Sequence, residues 1–275
     1  LFALRLGGPR LGMCLLGLML AAPALAQSPP QLIEPMIGTP GKDVVYVPQP
    51  VEVVEKMLDV AQVTARDFVI DLGSGDGRNV IAAAKRGARA LGVEYNPDLV
   101  ELSKRNAEAE GVSGKASFVQ GDMFAADISQ ATVLVLFLIP ANLHKLADKF
   151  YDMKPGTRIV SNTYEIGGGW EPDDSDRLKL CATWCGAHLY IVPAKVAGTW
   201  RLPDGELTLE QSFQNVWGTY QTSGISVPIS GLLRGEEILF SINSVEYSGR
   251  VTGDAMKGVA KGRTLGEWTA RRARE

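Results

Sequence analysis

Histidine is nearly missing from this chain: there are two among 275 residues, His144 and His188, with three cysteines beside them. Two imidazoles cannot make a histidine-rich metal centre, and three thiols by themselves cannot complete a four-cysteine zinc site. His144 follows Pro140 in a helical pattern and reads as a surface or capping residue. An excess of either charge is also lacking, since 28 Lys and Arg stand against 31 Asp and Glu for a net charge of −3. That balance provides no basic footprint for nucleic acid. The apolar run from Leu11 to Ala22 is too short to cross a bilayer comfortably.

The flanks of that run carry information of their own. Arg5 and Arg10 precede it, and Ala24-Leu25-Ala26 supplies the small residues a signal peptidase requires. Residues 1–26 are therefore expected to be a cleaved signal peptide, with an uncleaved membrane anchor as the alternative, and the protein is expected in the periplasm or envelope. Once the signal is removed, no stable membrane span is expected. Cys14 leaves with it, so Cys181 and Cys185 remain, spaced C-A-T-W-C near a possible hairpin turn. An oxidising compartment could join them, although two free or structural thiols are the expectation.

Chemistry enters at Ile70 to Arg78, which reads I-D-L-G-S-G-D-G-R. Val69, Ile70 and Leu72 form the short apolar run of a buried parallel strand, and Asn79 to Lys85 reads as a helix. Glycines at 73, 75 and 77 allow a sharp turn where a ligand must approach bare backbone. The spacing is G-x-G-x-G, with Ser74 and Asp76 between, not the G-x-G-x-x-G of pyrophosphate binding, so a nucleoside without phosphates is favoured. The next β-rich run, Ala88 to Tyr95, ends near Glu94, nineteen residues beyond Gly75, where a carboxylate can accept from both hydroxyls of a ribose. Asp122, at the end of Ser117 to Met123, can accept from an adenine amino group.

With this acid and G-x-G-x-G pattern the chain resembles the class I, seven-β-strand S-adenosylmethionine-dependent methyltransferases. A closer resemblance runs from about Val45 to Pro193, through V-Y-V-P-Q-P, V-V-E-K-M-L, D-L-G-S-G-D-G-R, L-G-V-E-Y-N, D-I-S-Q-A-T-V-L-V-L-F-L-I-P, K-P-G-T-R-I-V-S and G-W-E-P. It is similar to archaeal broad-specificity protein lysine methyltransferases and to the mitochondrial enzymes that modify an ATP synthase subunit and an adenine nucleotide carrier. The resemblance implies a Rossmann-like α/β fold, a seven-stranded sheet with helices on both faces, and S-adenosylmethionine as cofactor. It places the methionine part near Asp71, Gly73, Ser74 and Gly75, the ribose at Glu94, and the adenine near Tyr95, Asn96, Asp122 and Met123. Tyr46 would cover the site, and Phe137 to Pro140, F-L-I-P, would follow the fourth strand without the Asn-Pro-Pro-Tyr of enzymes acting on nucleobase amines or glutamine. The implied acceptor is a protein lysine, with nucleic acid not expected.

In-line methyl transfer needs alignment and a deprotonated amine more than a strong acid or base, and an apolar channel would depress the pKa of the acceptor lysine. Tyr46, Asn162 and Tyr164 are candidates to orient that amine. Past Pro193 short apolar runs alternate with Gly, Ser and Asn, which suggests a small antiparallel sheet or barrel. Its G-T-W-R opening resembles that of lipocalin-like barrels. The expected layout is a signal peptide at 1–26, a Pro-rich linker at 27–50, a methyltransferase domain at 51–193 and a β-rich extension at 194–275. An exported methyltransferase must find its cofactor outside the cytoplasm, so a non-catalytic envelope ligand-binding or interaction module is an alternative. A small-molecule methyltransferase and a dinucleotide-dependent oxidoreductase are further ones.

Overall fold

Side chains that alternate between two buried faces build the central sheet. In β1 (Phe68–Leu72) Val69 joins one apolar cluster while Ile70 and Leu72 join the other. β4 (Val133–Leu136) repeats the division, with Val133 and Val135 on one side and Leu134 and Leu136 on the other. Such strands are stable only with both faces covered. A computed structural model describes residues 36–39, 41–179, 181–262 and 265–273 together with Phe2. The expected signal peptide beyond Phe2, and Pro35 and Pro40 of the expected linker, lie outside the described residues.

The sheet has seven strands in the order β3-β2-β1-β4-β5-β7-β6, adding β2 (Arg89–Glu94), β3 (Ala116–Gln120), β5 (Arg158–Asn162), β6 (Asp174–Arg177) and β7 (Gly186–Ile191). β1 to β5 are parallel, and β7 runs antiparallel to both β5 and β6. Helices α1 (Val51–Val60), α2 (Arg78–Lys85) and α3 (Pro97–Ala109) contribute to one apolar cluster. Leu143, Leu146 and Phe150 of α4 (Pro140–Tyr151) belong to the other. The order reverses between β1 and β4, and in open sheets ligands bind outside the carboxyl ends of strands at such a switch point. The fold is the one expected from the resemblance, with element ends moved by one to three residues: α2 starts at Arg78, and β3 stops at Gln120, which leaves Asp122 in the loop beyond it.

The C-terminal region is a closed eight-stranded antiparallel barrel of β8 (Gly198–Leu202), β9 (Gly205–Ser212), β10 (Asn215–Thr222), β11 (Ile225–Arg234), β12 (Glu237–Ile242), β13 (Val245–Thr252), β14 (Ala255–Lys261) and β15 (Leu265–Arg272). Two-residue turns join six of its hairpins, and in five of them the first residue, Phe213, Ser223, Gly235, Asn243 or Gly253, has φ between 48° and 61°. That left-handed geometry matches the twist of paired strands. The lumen is filled: Trp200, Phe240 and Trp268 are buried, and Phe240 stacks on Tyr247 at 4.9 Å.

One end of the barrel rests on the sheet. Phe213 stacks on Trp170 at 5.1 Å and meets Tyr151 edge-on at 5.2 Å, while Gln214 Nε2 donates to the Glu171 carbonyl at 3.0 Å. Ala194 N–H donates to the Gly235 carbonyl at 2.8 Å, and a Cβ on Gly235 would lie 3.1 Å from Ile191. Ile191 pairs with Arg158, the first residue of β5, so this contact sits at the sheet edge opposite the carboxyl ends of β1 to β5. Among the described residues no helix is long and apolar enough to cross a membrane.

Candidate active site

The carboxyl ends of β1, β2 and β4 open into one cavity, walled on its other side by residues from Thr39 to Gln49. This part of the expected linker therefore borders the cavity. Gly41 N–H donates to the Val44 carbonyl at 3.0 Å and Tyr46 N–H to the Thr39 carbonyl at 3.0 Å, which folds the segment back on itself. Tyr46 then lies against the glycine turn, where a Cβ on Gly75 would sit 3.0 Å from its ring. Gly73, Gly75 and Gly77 have φ of 76°, 56° and 84°, a conformation that side-chain-bearing residues rarely adopt. At Gly77, the N-cap of α2, a Cβ would also fall 2.7 Å from the Phe118 ring.

Eleven of the thirteen residues expected at the site line this cavity: Tyr46 and Tyr164, Asp71 with Gly73, Ser74 and Gly75, Glu94 and Tyr95, and Asp122, Met123 and Phe137. Asn96 and Asn162 are placed differently. Asn96 caps α3, its Oδ1 accepting from Asp98 N–H at 2.9 Å while its own N–H donates to Glu94 Oε1 at 2.9 Å. Asn162 is fully buried beneath the wall, its Nδ2 donating to Gln49 Oε1 at 2.7 Å and its Oδ1 accepting from Thr163 Oγ1 at 2.7 Å.

The polar side chains form two groups. In the first, Asn162 bonds Gln49, Gln49 Nε2 donates to Asn79 Oδ1, and Asn79 Nδ2 donates to Asp71 Oδ2 at 3.0 Å, all four residues being buried. This chain ties the β5 end to the β1 end through the segment at 49. In the second, Glu94 Oε2 accepts from Gly75 N–H at 2.9 Å, which fixes the carboxylate over the turn. Lys42 Nζ donates to Asp122 Oδ2 at 2.6 Å and lies 5.6 Å from the centre of the Tyr95 ring. That hydrogen bond is the main reason the Asp122 carboxyl is held below its ordinary pKa.

Two titrations set the character of the site. Burial pushes the Asp71 carboxyl up to about 7, with repulsion from Glu94 and Asp76 adding to it and the Asn79 hydrogen bond opposing it. Burial, reinforced by the Asp76 carboxylate, pushes the Tyr46 hydroxyl up to about 12, so it stays a neutral phenol at physiological pH. Asp71 Oδ1 and Ser74 Oγ are buried without a partner. An unpaired buried carboxylate oxygen is costly unless a ligand supplies a donor or a positive charge.

The residues present fit a nucleoside that carries an amino acid side chain with a cationic amine. The vacant Asp71 oxygen can receive its ammonium, the left-handed glycines leave room for its chain, and Glu94 can accept from ribose hydroxyls. The Gln49–Asn79 relay, Lys42 and Trp184 escaped the sequence reading. Gln49 and Asn79 stand within or beside quoted motifs, whereas Lys42 and Trp184 reach the cavity by tertiary placement alone.

Comparison with known proteins agrees with this geometry. Residues 71–174 match the ANTKMT methyltransferase domain. The chain is 46% identical over 150 residues to a protein-lysine N-methyltransferase of Saccharolobus islandicus, covering 54% of this chain and 92% of that enzyme. It is 34% identical over 140 residues to a rat lysine N-methyltransferase named for the ATP synthase, covering 50% of this chain and 64% of that one. Among solved structures, an enzyme of Salinibacter ruber described as an RNA methyltransferase, in complex with S-adenosyl-L-homocysteine, is 41% identical with a TM-score of 0.51. That similarity covers 55% of this chain and 96% of the other.

Proposed function

Since the chain belongs to the protein-lysine N-methyltransferase family, we propose that it transfers methyl groups from S-adenosylmethionine to the ε-amine of lysine in proteins. S-adenosylmethionine supplies an electrophilic methyl group on a sulfonium, a cation whose departure as a neutral thioether needs no acid. Asp71, Gly73 and Gly75 hold the amino acid end, Glu94 the ribose, and Tyr95, Asp122 and Met123 the adenine.

The observation that carries the reading is the unpartnered Asp71 oxygen beside the left-handed glycine turn, in the same cavity as Glu94. On the acceptor side Tyr46 and Tyr164 present phenols, and Phe137, Ile139 and Trp184 present apolar surface. An amine entering between them loses water, which lowers its pKa and releases the free base needed for attack. With its hydroxyl pushed up to about 12, Tyr46 orients the amine as a neutral hydrogen-bonding group and takes no proton. Asn162 acts through Gln49 as a positioning residue. The rest of the rate enhancement comes from alignment of amine, methyl and sulfur in a dry site.

RNA is a second reading, favoured by the similarity to the Salinibacter enzyme. A net charge of −3 and an aromatic acceptor side favour protein. Labelled S-adenosylmethionine incubated with a cell extract, followed by nuclease or protease digestion, separates the two. Protease-sensitive label recovered as methyllysine supports the proposal, and nuclease-sensitive label overturns it. We also propose that the protein works in the cell envelope, in keeping with the arginine-flanked apolar run at Leu11–Ala22 and with Cys181 and Cys185, which are joined by a disulfide.

A further inference from the structure

The Cys181–Cys185 bridge was expected to stay open, yet it closes a five-residue loop whose fourth residue, Trp184, lines the cavity. The Trp184 ring is 5.6 Å from that of Phe137, tilted by 59°, so the two form an angled aromatic corner. The corner stands beside Tyr164, where Thr163 N–H donates to the Gly186 carbonyl at 2.9 Å and so ties the end of β5 to the start of β7. Trp184 has φ 54° and Thr163 has φ 64°. A left-handed backbone is unfavourable for residues with a Cβ and persists only where the surroundings impose it. Here the covalent ring supplies that constraint at Trp184, with Leu178 N–H donating to the Cys185 carbonyl at 3.0 Å just outside it.

The geometry points to Trp184 as an acceptor-binding residue: with Phe137 it forms the aromatic corner that packs on the lysine side chain and, once methyl has been transferred, receives its methylated ammonium, and the Cys181–Cys185 bridge is the positioning device that seats it. The inference rests on the lysine reading and deepens it. Aromatic faces attract alkylammonium groups, most strongly when water is excluded, and they tolerate the methyls that a hydrogen-bond acceptor would reject. Cations on the cavity wall do not oppose this, since Lys42 is paired with Asp122 and Arg78 with Asp76. A tryptophan that only packed under a loop would not need to line the cavity.

The test is calorimetric titration of Nε-trimethyllysine into the full chain saturated with S-adenosylhomocysteine, with the affinity for S-adenosylhomocysteine measured alongside. Trp184→Ala and the double variant Cys181→Ser/Cys185→Ser should each weaken trimethyllysine about tenfold. Trp184→Phe should restore most of the binding, and S-adenosylhomocysteine affinity should stay unchanged throughout. Equal trimethyllysine affinity in Trp184→Ala, or no binding by the wild type, overturns the inference. Loss of S-adenosylhomocysteine binding in the variants also overturns it, because the loop would then be merely structural. Failure of the wild type to methylate any lysine, with trimethyllysine still bound through Trp184, would instead retire the lysine reading.

Discussion

Asp71 faces opposite demands in the free and bound protein. Its carboxyl titrates at about 7 in the folded chain against 3.8 ordinarily, because burial disfavours the anion. The folded state therefore binds this proton more tightly than the unfolded state. The resulting stabilisation is complete below 3.8 and is lost as pH rises through about 7. Receiving a ligand ammonium requires the anion, so affinity for S-adenosylmethionine should fall on acidification from about pH 8 to about pH 6, with a proton released on binding. Calorimetry across that range should show this slope, and Asp71→Asn should bind weakly with no slope while melting at a higher temperature when free. A flat wild-type profile would contradict this role for Asp71. At Asn162 the expectation differs: Asn162→Ala leaves the buried Gln49 Oε1 without a donor and should cost about 1–3 kcal/mol in denaturant unfolding. S-adenosylhomocysteine affinity should survive with little change, and an unchanged unfolding midpoint would argue against the relay. The glycine turn and its three acids were legible in the sequence because chemistry fixes their local spacing. Asn162 was not, since only the fold reveals that its amide faces Gln49 and not the cavity.

Among the elements, the joint between the barrel and the sheet depends on few side chains. Phe213 holds the first position of a barrel turn with φ 48° and packs against both Trp170 and Tyr151. Phe213→Ala should lower stability by about 2 kcal/mol through lost apolar contact. The cavity lies at the opposite strand ends, so S-adenosylhomocysteine affinity should not change. A drop in that affinity would mean that the barrel reaches the site. The parallel strands could be read from their apolar runs, and the barrel from short alternating segments. Closure of the barrel was harder to see, because it depends on eight registers agreeing at once. The turns do fall at nearly even intervals, at 203–204, 213–214, 223–224, 235–236, 243–244 and 253–254, and that spacing was the available signal. The segment before α1 was misleading for a physical reason: prolines at 48 and 50 keep its last residues extended, but hydrogen bonds fold residues 39–46 back on themselves, so it closes a cavity where a linker was expected.

At the scale of the whole molecule, the chain pairs a methyl-transfer domain with a closed barrel, and the match to the Saccharolobus enzyme covers 54% of the chain. Trp200, Phe240 and Trp268 are buried in the barrel, and eleven of the thirteen residues expected at the site line the cavity at the carboxyl ends of the sheet. The central claim is methyl transfer to lysine, and mass spectrometry of proteins labelled in a nuclease-treated extract tests it most directly. The full chain should place methyl groups on lysine ε-amines, and Glu94→Ala should abolish them. No new methyllysine in any protein, or lysine methylation that persists in Glu94→Ala, would contradict the account.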